Sequence, residues 1–314
     1  MADCSKEFLD FDKRISLNKT ERKLLRKARK AITNKIVTCF KQNPNCPDVE
    51  FKPQGSFSMG TIIKPLNGEY DIDIGVYLKG YSNWQRDWPK PEIVSYWLTS
   101  ALKNHTSIPL VNKRNCIRVT YKPINIENDV SYHVDLPIYC DYINFLEQKK
   151  TRIGITGETQ WSNKSNPIKF TEWFFEKCKK NKKDKGQLIR LVKYMKAWKE
   201  HINIDSKFPS GMAFTVLLAN NYYPDKRDDI SFRETIRKSY NNLYFWYPLW
   251  ENSITSPLEP YNDLLAKLTA KQKQRFKNTF EELVDDAKKA IKEFDKEIAL
   301  SFWKKHFDRR MEKY

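Results

Sequence analysis

Asp71 and Asp73 stand one residue apart in Glu69-Tyr70-Asp71-Ile72-Asp73-Ile74-Gly75-Val76-Tyr77-Leu78. Tyr70, Ile72, Ile74, Val76 and Leu78 take every second position, the pattern of a half-buried strand. Period-two geometry therefore sets the two carboxylates side by side on the opposite face. Carboxylates that close repel unless a cation lies between them, which is the chemistry of a divalent metal site. Upstream comes Gln54-Gly55-Ser56-Phe57-Ser58-Met59-Gly60-Thr61. A small Gly-Ser turn opening a short helix offers backbone N–H groups and a hydroxyl to a phosphate. A phosphate cradle followed by an acidic pair on a strand implies nucleotidyl transfer.

A third acid follows in Val130-Ser131-Tyr132-His133-Val134-Asp135-Leu136-Pro137-Ile138-Tyr139, again a strand-like run. A charge among aromatic and branched residues is costly unless it is paired or metal-bound. Two-metal sites need several anionic oxygens converging on ions about 3.5–4 Å apart. Asp71 and Asp73 are expected to hold both ions, with Asp135 completing the shell of the ion that activates the attacking hydroxyl. Taken singly these features are weak: an Asp-x-Asp is commonly a solvated strand face, a Gly-Ser pair a turn, and Asp135 the end of a strand. Their order along the chain is what carries the reading.

Gln54-Gly55-Ser56 through Tyr77-Leu78, followed by Asp135, resembles the core of the DNA polymerase β-type nucleotidyltransferases. More narrowly it is similar to the cGAS/DncV-like nucleotidyltransferases (CD-NTases) of bacterial CBASS antiphage defence. Leu188 to Lys199, followed by Phe208-Pro209-Ser210-Gly211-Met212-Ala213-Phe214, looks like that family's helical-lobe signature. The resemblance implies an α+β fold with two lobes: a mixed-sheet lobe with a long N-terminal helix, and an all-helical lobe. It implies that Gln54, Gly55, Ser56, Ser210 and one of Lys193 and Lys196 bind nucleotide, the choice between the lysines staying open. On the bare sequence both lysines fall outside the apolar stripe of their helix, and Ser210 could simply cap the next one. Where many relatives carry a base-stacking tyrosine, this chain has Met212. A thioether packs on a base less specifically.

The resemblance further implies two Mg²⁺ ions (or Mn²⁺), NTP substrates with ATP and GTP foremost, and a cyclic di- or trinucleotide second messenger as product. Regulatory or effector proteins of a defence operon are the implied partners. Enzymes with the same core but other products, RNA-tailing, oligoadenylate-type or small-molecule nucleotidyltransferases, are the first alternative. A nucleic-acid-activated sensor and a non-catalytic nucleic-acid-binding module follow.

The 314 residues carry 57 Lys and Arg against 39 Asp and Glu, a net charge of +18. That favours polyanions, nucleoside triphosphates first, with nucleic acid a less favoured partner. The densest run, Lys177 to Lys185, reads as a solvated loop or frayed helix end, with a nucleic-acid-sensing surface as the alternative. No apolar run reaches membrane-spanning length and the N-terminus lacks signal-peptide character, so a cytoplasmic protein without membrane contact is expected. The six cysteines are scattered without Cys-x-x-Cys and read as reduced thiols rather than zinc ligands.

The elements that must position these residues follow from periodicity. A long helix is expected from Lys19 to Lys41, capped around Asn18 and stopping before Pro44. It is followed by a strand before Pro53, a hairpin signal at Asn67-Gly68, and a helix from Pro91 to Leu102. Strands are expected at Cys116–Tyr121 and around Asp135. Beyond residue 155 only helices are expected, at about 170–180, 186–202, 211–222, 230–241, 258–268, 270–292 and 293–308. That switch predicts a catalytic lobe over 1–155 and a helical lobe over 156–314, with the nucleotide site between them.

Overall fold

The computed structural model describes residues 1–66, 70–82, 84–122, 131–155, 158–162, 166–202, 207–245 and 253–311. The Asn67-Gly68 signal, Glu69 and Val130 lie outside the described residues. In chain order the elements are α1 (Ser5–Ile15), α2 (Lys19–Gln42), β1 (Val49–Gln54), α3 (Gly55–Ser58), β2 (Tyr70–Tyr81), α4 (Pro91–Leu102), β3 (Val111–Asn112), β4 (Ile117–Tyr121), β5 (Tyr132–Leu136), β6 (Ile138–Ile143), β7 (Lys149–Ile153), α5 (Pro167–Cys178), α6 (Gln187–His201), α7 (Gly211–Asn221), α8 (Asp228–Tyr240), α9 (Ala270–Lys292) and α10 (Lys296–Lys304). They group into two compact units. One, here the helical unit, comprises residues 1–17, 60–66 and 172–314; the other, the sheet unit, comprises 18–59 and 67–171.

In the sheet unit, β2 is the central strand. β1 runs antiparallel along one side of it, with Gln54 opposite Asp73. β5 and β6 run parallel to it one after the other, Tyr132 to Asp135 against Tyr70 to Asp73, then Ile138 to Cys140 against Val76 to Leu78. The expected single strand around Asp135 is thus two, divided at Pro137. Proline has no N–H to give a ladder, but its carbonyl accepts the Val76 N–H at 2.9 Å, so the pairing resumes without loss of register. β4 and β7 pair antiparallel with β5 and β6. β7 was not expected, because Lys149-Lys150-Thr151-Arg152 lacks apolar alternation. Charges of that kind suit the last strand on a sheet margin.

α2 is fixed by a reciprocal cap. Asn18 Oδ1 accepts the Glu21 N–H at 2.8 Å, and Glu21 Oε2 accepts the Asn18 N–H at 2.6 Å. The other Glu21 oxygen accepts the Tyr70 hydroxyl at 3.2 Å, tying the start of β2 to the start of α2. α4 runs as expected and buries Val94, Leu98, Ala101 and Leu102, although Ile93 faces outward.

The helical unit is built on aromatic packing, which accounts for much of the chain's 14% aromatic content. Phe8 and Phe11 of α1 are fully buried, with Phe8 meeting Tyr194 and Trp303 edge-on at 5.1 and 4.9 Å. Trp198, Phe214, Phe276 and Phe280 form a second nucleus. Two expectations need correction here. The chain opens with α1, whose Phe8, Phe11 and Ile15 recur at helical spacing, ahead of α2. Residues 258–268 are not helical: Pro260 cannot donate, and Asp263 Oδ1 accepts the N–H groups of Ile254 and Leu265 at 3.1 and 2.9 Å instead.

Candidate active site

β2 and β5 bring the three acids together. Tyr70, Ile72 and Ile74 are buried, while Asp71 and Asp73 point to the opposite face. Asp135 is the register partner of Asp73, and His133 that of Asp71, so all four side chains share that face. Asp71, His133 and Asp135 each offer a ligand atom within 4.8 Å of the others.

The three carboxylates have different surroundings. Burial works against charge on Asp71, but the contact with His133, whose Nε2 lies 3.1 Å from Oδ1, and the nearby Arg118 outweigh it, holding the carboxyl below its ordinary value. Burial, then the charges of Asp71 and Asp135, push Asp73 up to about 7. Asp135 is met by Arg118, whose Nε donates to Oδ1 at 2.6 Å and Nη2 to Oδ2 at 2.7 Å. Cys116 also borders Asp135, and burial followed by that charge raises its thiol to about 12, so it stays protonated.

Clustered carboxylates that raise one another's cost of ionisation fit a hard divalent cation such as Mg²⁺ or Mn²⁺, which takes oxygen ligands. The residues present therefore suit the implied ions. Among the described residues, no other group of His, Cys, Asp and Glu side chains is arranged to hold a metal.

Gly55 starts α3 with φ +69° and backs directly onto Asp73. Ser56 sits half-exposed in that first turn, and Ser58 Oγ donates to the Gly55 carbonyl at 2.9 Å. Gln54 is buried: its Nε2 donates to the Tyr139 hydroxyl at 3.1 Å, and its Oε1 accepts from the Tyr77 hydroxyl at 3.4 Å. Tyr77 and Tyr139 stack at 4.7 Å and floor the acid-bearing face. A Cβ at Gly75 would come within 2.4 Å of Tyr77 and 2.6 Å of Gln54, so glycine there lets this floor close. The Gln54 side chain is thus committed to the tyrosines.

In the helical unit the two lysines part company. Lys193 is buried, contrary to its expected place outside the core face. It makes an ion pair with Asp12 at 2.5 Å and donates to Ser16 Oγ at 2.7 Å. Lys196 is half-exposed and donates to the carbonyl of Thr61 at 2.8 Å. It also lies at the start of α7, where a Cβ on Gly211 would meet its Cε at 3.2 Å. Ser210 caps α7, its Oγ accepting the Ala213 N–H at 3.1 Å, and Met212 is exposed in the first turn.

Sequence reasoning missed His133 and Arg118. His133 was within reach, since it stands two residues before Asp135 and hence on the same face. Arg118 was not, because its placement opposite Asp135 depends on the β4–β5 register.

An acid trio on adjacent strands, behind a Gly-Ser turn, is the arrangement that the resemblance to the polymerase β-type nucleotidyltransferases implies. Residues 49–139 match the family described as cyclic GMP-AMP synthase DncV-like, nucleotidyltransferase domain. A cyclic GMP-AMP synthase from Escherichia albertii is 31% identical over 193 residues, 59% of this chain and 40% of that protein. A cyclic AMP-AMP-AMP synthase from an Acinetobacter species is 27% identical over 260 residues, 80% of this chain and 69% of that protein. The structure of Vibrio cholerae DncV cyclic AMP-GMP synthase with a linear intermediate superimposes with a TM-score of 0.77 at 17% identity, covering 99% of this chain and 97% of that one. The segment that bears Asp71, Asp73 and Asp135 is thus similar to the DncV-like nucleotidyltransferase domain over residues 49–139.

Proposed function

We propose that this chain condenses nucleoside triphosphates, ATP and GTP foremost, with release of pyrophosphate, and closes the product into a cyclic di- or trinucleotide. The observation that carries this reading is the placement of Asp73 beside Asp135, with Asp71 on the same face and Gly55 packed directly behind. Asp71, Asp73 and Asp135 would hold two divalent ions, Mg²⁺ or Mn²⁺, which supply charge neutralisation at the α-phosphate and an acidified acceptor hydroxyl. His133 orients Asp71. Gly55 and Ser56 present backbone N–H groups to phosphate, with the Ser56 hydroxyl beside them. In the helical unit, Lys196 and the N-terminus of α7 at Ser210 form a second phosphate-binding feature. Gln54 acts by supporting the tyrosine floor.

The named relatives make products of different ring size, so this chain's ring size and bases are left to experiment. We place the enzyme in the cytoplasm, as the source of a second messenger in CBASS antiphage defence. No helix among the described residues is long and apolar enough to cross a membrane.

The test is incubation with all four NTPs and Mg²⁺ or Mn²⁺, phosphatase treatment and mass spectrometry. A phosphatase-resistant product without free termini is expected. Extension of an added RNA, with no resistant product, would favour the tailing alternative and overturn the cyclase reading. Asp71→Asn with Asp73→Asn is expected to lower product at least about a thousandfold, equivalent to three tenfold steps in barrier height. Circular dichroism would confirm that the double variant is folded.

A further inference from the structure

Arg118 faces Asp135 across the β4–β5 ladder, so its position is fixed by backbone pairing. Its side chain is 19% exposed and that of Asp135 11%. The guanidinium forks onto both carboxylate oxygens at 2.6 and 2.7 Å, and Nη2 lies 3.8 Å from Asp71 Oδ1. A fork of this kind takes the same lone pairs that a metal ion would take. Arginine cannot vacate them by losing its proton, since it stays charged at any ordinary pH. Among the described residues, by contrast, no lysine, arginine or histidine is ion-paired with Asp73. The trio is therefore uneven: Asp135 is forked by a fixed cation, Asp71 lies at that cation's edge and beside His133, and Asp73 has no ion partner among the described residues.

We infer that Arg118 is a positioning residue that occupies Asp135 in competition with the ion this carboxylate completes. This rests on the reading of the acid trio as a divalent-metal centre. The ion held by Asp71 and Asp73 binds first. The second binds only by drawing Asp135 away from Arg118, so the guanidinium sets both the order of filling and the concentration at which the site becomes complete. Between fillings it keeps a nearly buried carboxylate paired, where an unpaired charge would destabilise the strand pair.

The experiment is Mn²⁺ titration of the full chain followed by electron paramagnetic resonance, with wild type, Arg118→Gln and Arg118→Lys. Circular dichroism verifies each fold. Wild type is expected to show a tight and a weak class of bound ion. Arg118→Gln should tighten the weak class at least about tenfold, the worth of one charge-assisted hydrogen bond, and move the tight class by less than about twofold. Lysine keeps the charge but cannot fork, so Arg118→Lys should fall between the two. The Mn²⁺ concentration for half-maximal product should fall in parallel. A merely structural arginine would lower the melting temperature and leave the weak class where it was. Two classes that Arg118→Gln leaves unmoved, or weakens, would overturn the inference while keeping the metal centre. Absence of any bound Mn²⁺ in wild type would overturn the metal reading and this inference with it.

Discussion

Gly55 has no room for a side chain: a Cβ there would lie 1.9 Å from Asp73 Oδ2, and φ is +69°. The atom in the way belongs to the carboxylate on which the proposed metal site depends. Gly55→Ala must therefore strain the turn, by about 1–2 kcal/mol for a left-handed residue, and push Asp73 aside. Product formation is expected to drop about a hundredfold or more, with a folded protein by circular dichroism. An active Gly55→Ala would show that Asp73 does not need its observed position. Asp73 also carries a pH signature. Its carboxyl stands at about 7 in the fold against an ordinary 3.8. After chelation, the folded chain takes up a proton as pH falls through 7, and the unfolded chain does so only near 4. Wild type should therefore gain stability relative to Asp73→Asn as pH drops from about 8 to about 5, read by urea denaturation. A gap that stays flat with pH would contradict the burial and repulsion seen at Asp73. The acids and Gly55 were legible because period two and order along the chain suffice to place them. Arg118 was not, since its meaning lies in a neighbour seventeen positions away across a ladder.

α6 shows why helix periodicity locates an element more surely than it assigns its faces. Leu188, Leu191, Val192, Met195 and Trp198 mark a buried stripe, and all are buried. Lys193 lies beside that stripe, yet it is buried as well, because Asp12 and Ser16 supply partners there. No spacing within α6 can announce a partner from the chain's first seventeen residues. The two lysines should accordingly fail in different ways. Lys193→Met leaves Asp12 unpaired in a buried setting and should cost about 3–5 kcal/mol in urea denaturation. Lys196→Met should change stability little and raise the KM for NTP, because its side chain is half-exposed beside the start of α7. Equal losses of stability, or a KM effect confined to Lys193→Met, would reverse the assignment. The remaining misreadings have causes of the same kind. β7 is charged where an interior strand would be apolar, and residues 258–268 have helical spacing but are diverted by Pro260 and the Asp263 side chain.

The charge of the whole chain is unevenly spread, and that bears on what reaches the enzyme. α2 carries nine lysines and arginines against a single acid, Glu21. Lys23, Arg26, Lys27 and Lys30 are exposed along it. Such a face attracts any polyanion through counterion release, which is steeply salt-dependent and carries no sequence information. The three acids of the proposed site, meanwhile, are held by contacts within the sheet unit itself: the β2–β5 ladder, Gly55, His133 and Arg118. Nothing in that set needs a polyanion to form. Nucleic acid is therefore expected to bind at about 50 mM salt and to be largely released by about 200 mM. Product formation should be the same with and without nucleic acid at the higher salt. Mobility shift and product assays run on the same samples check both halves. Product that requires nucleic acid at a salt concentration where binding persists would make this chain a nucleic-acid sensor, and would turn the basic face of α2 from a consequence of composition into its receptor surface.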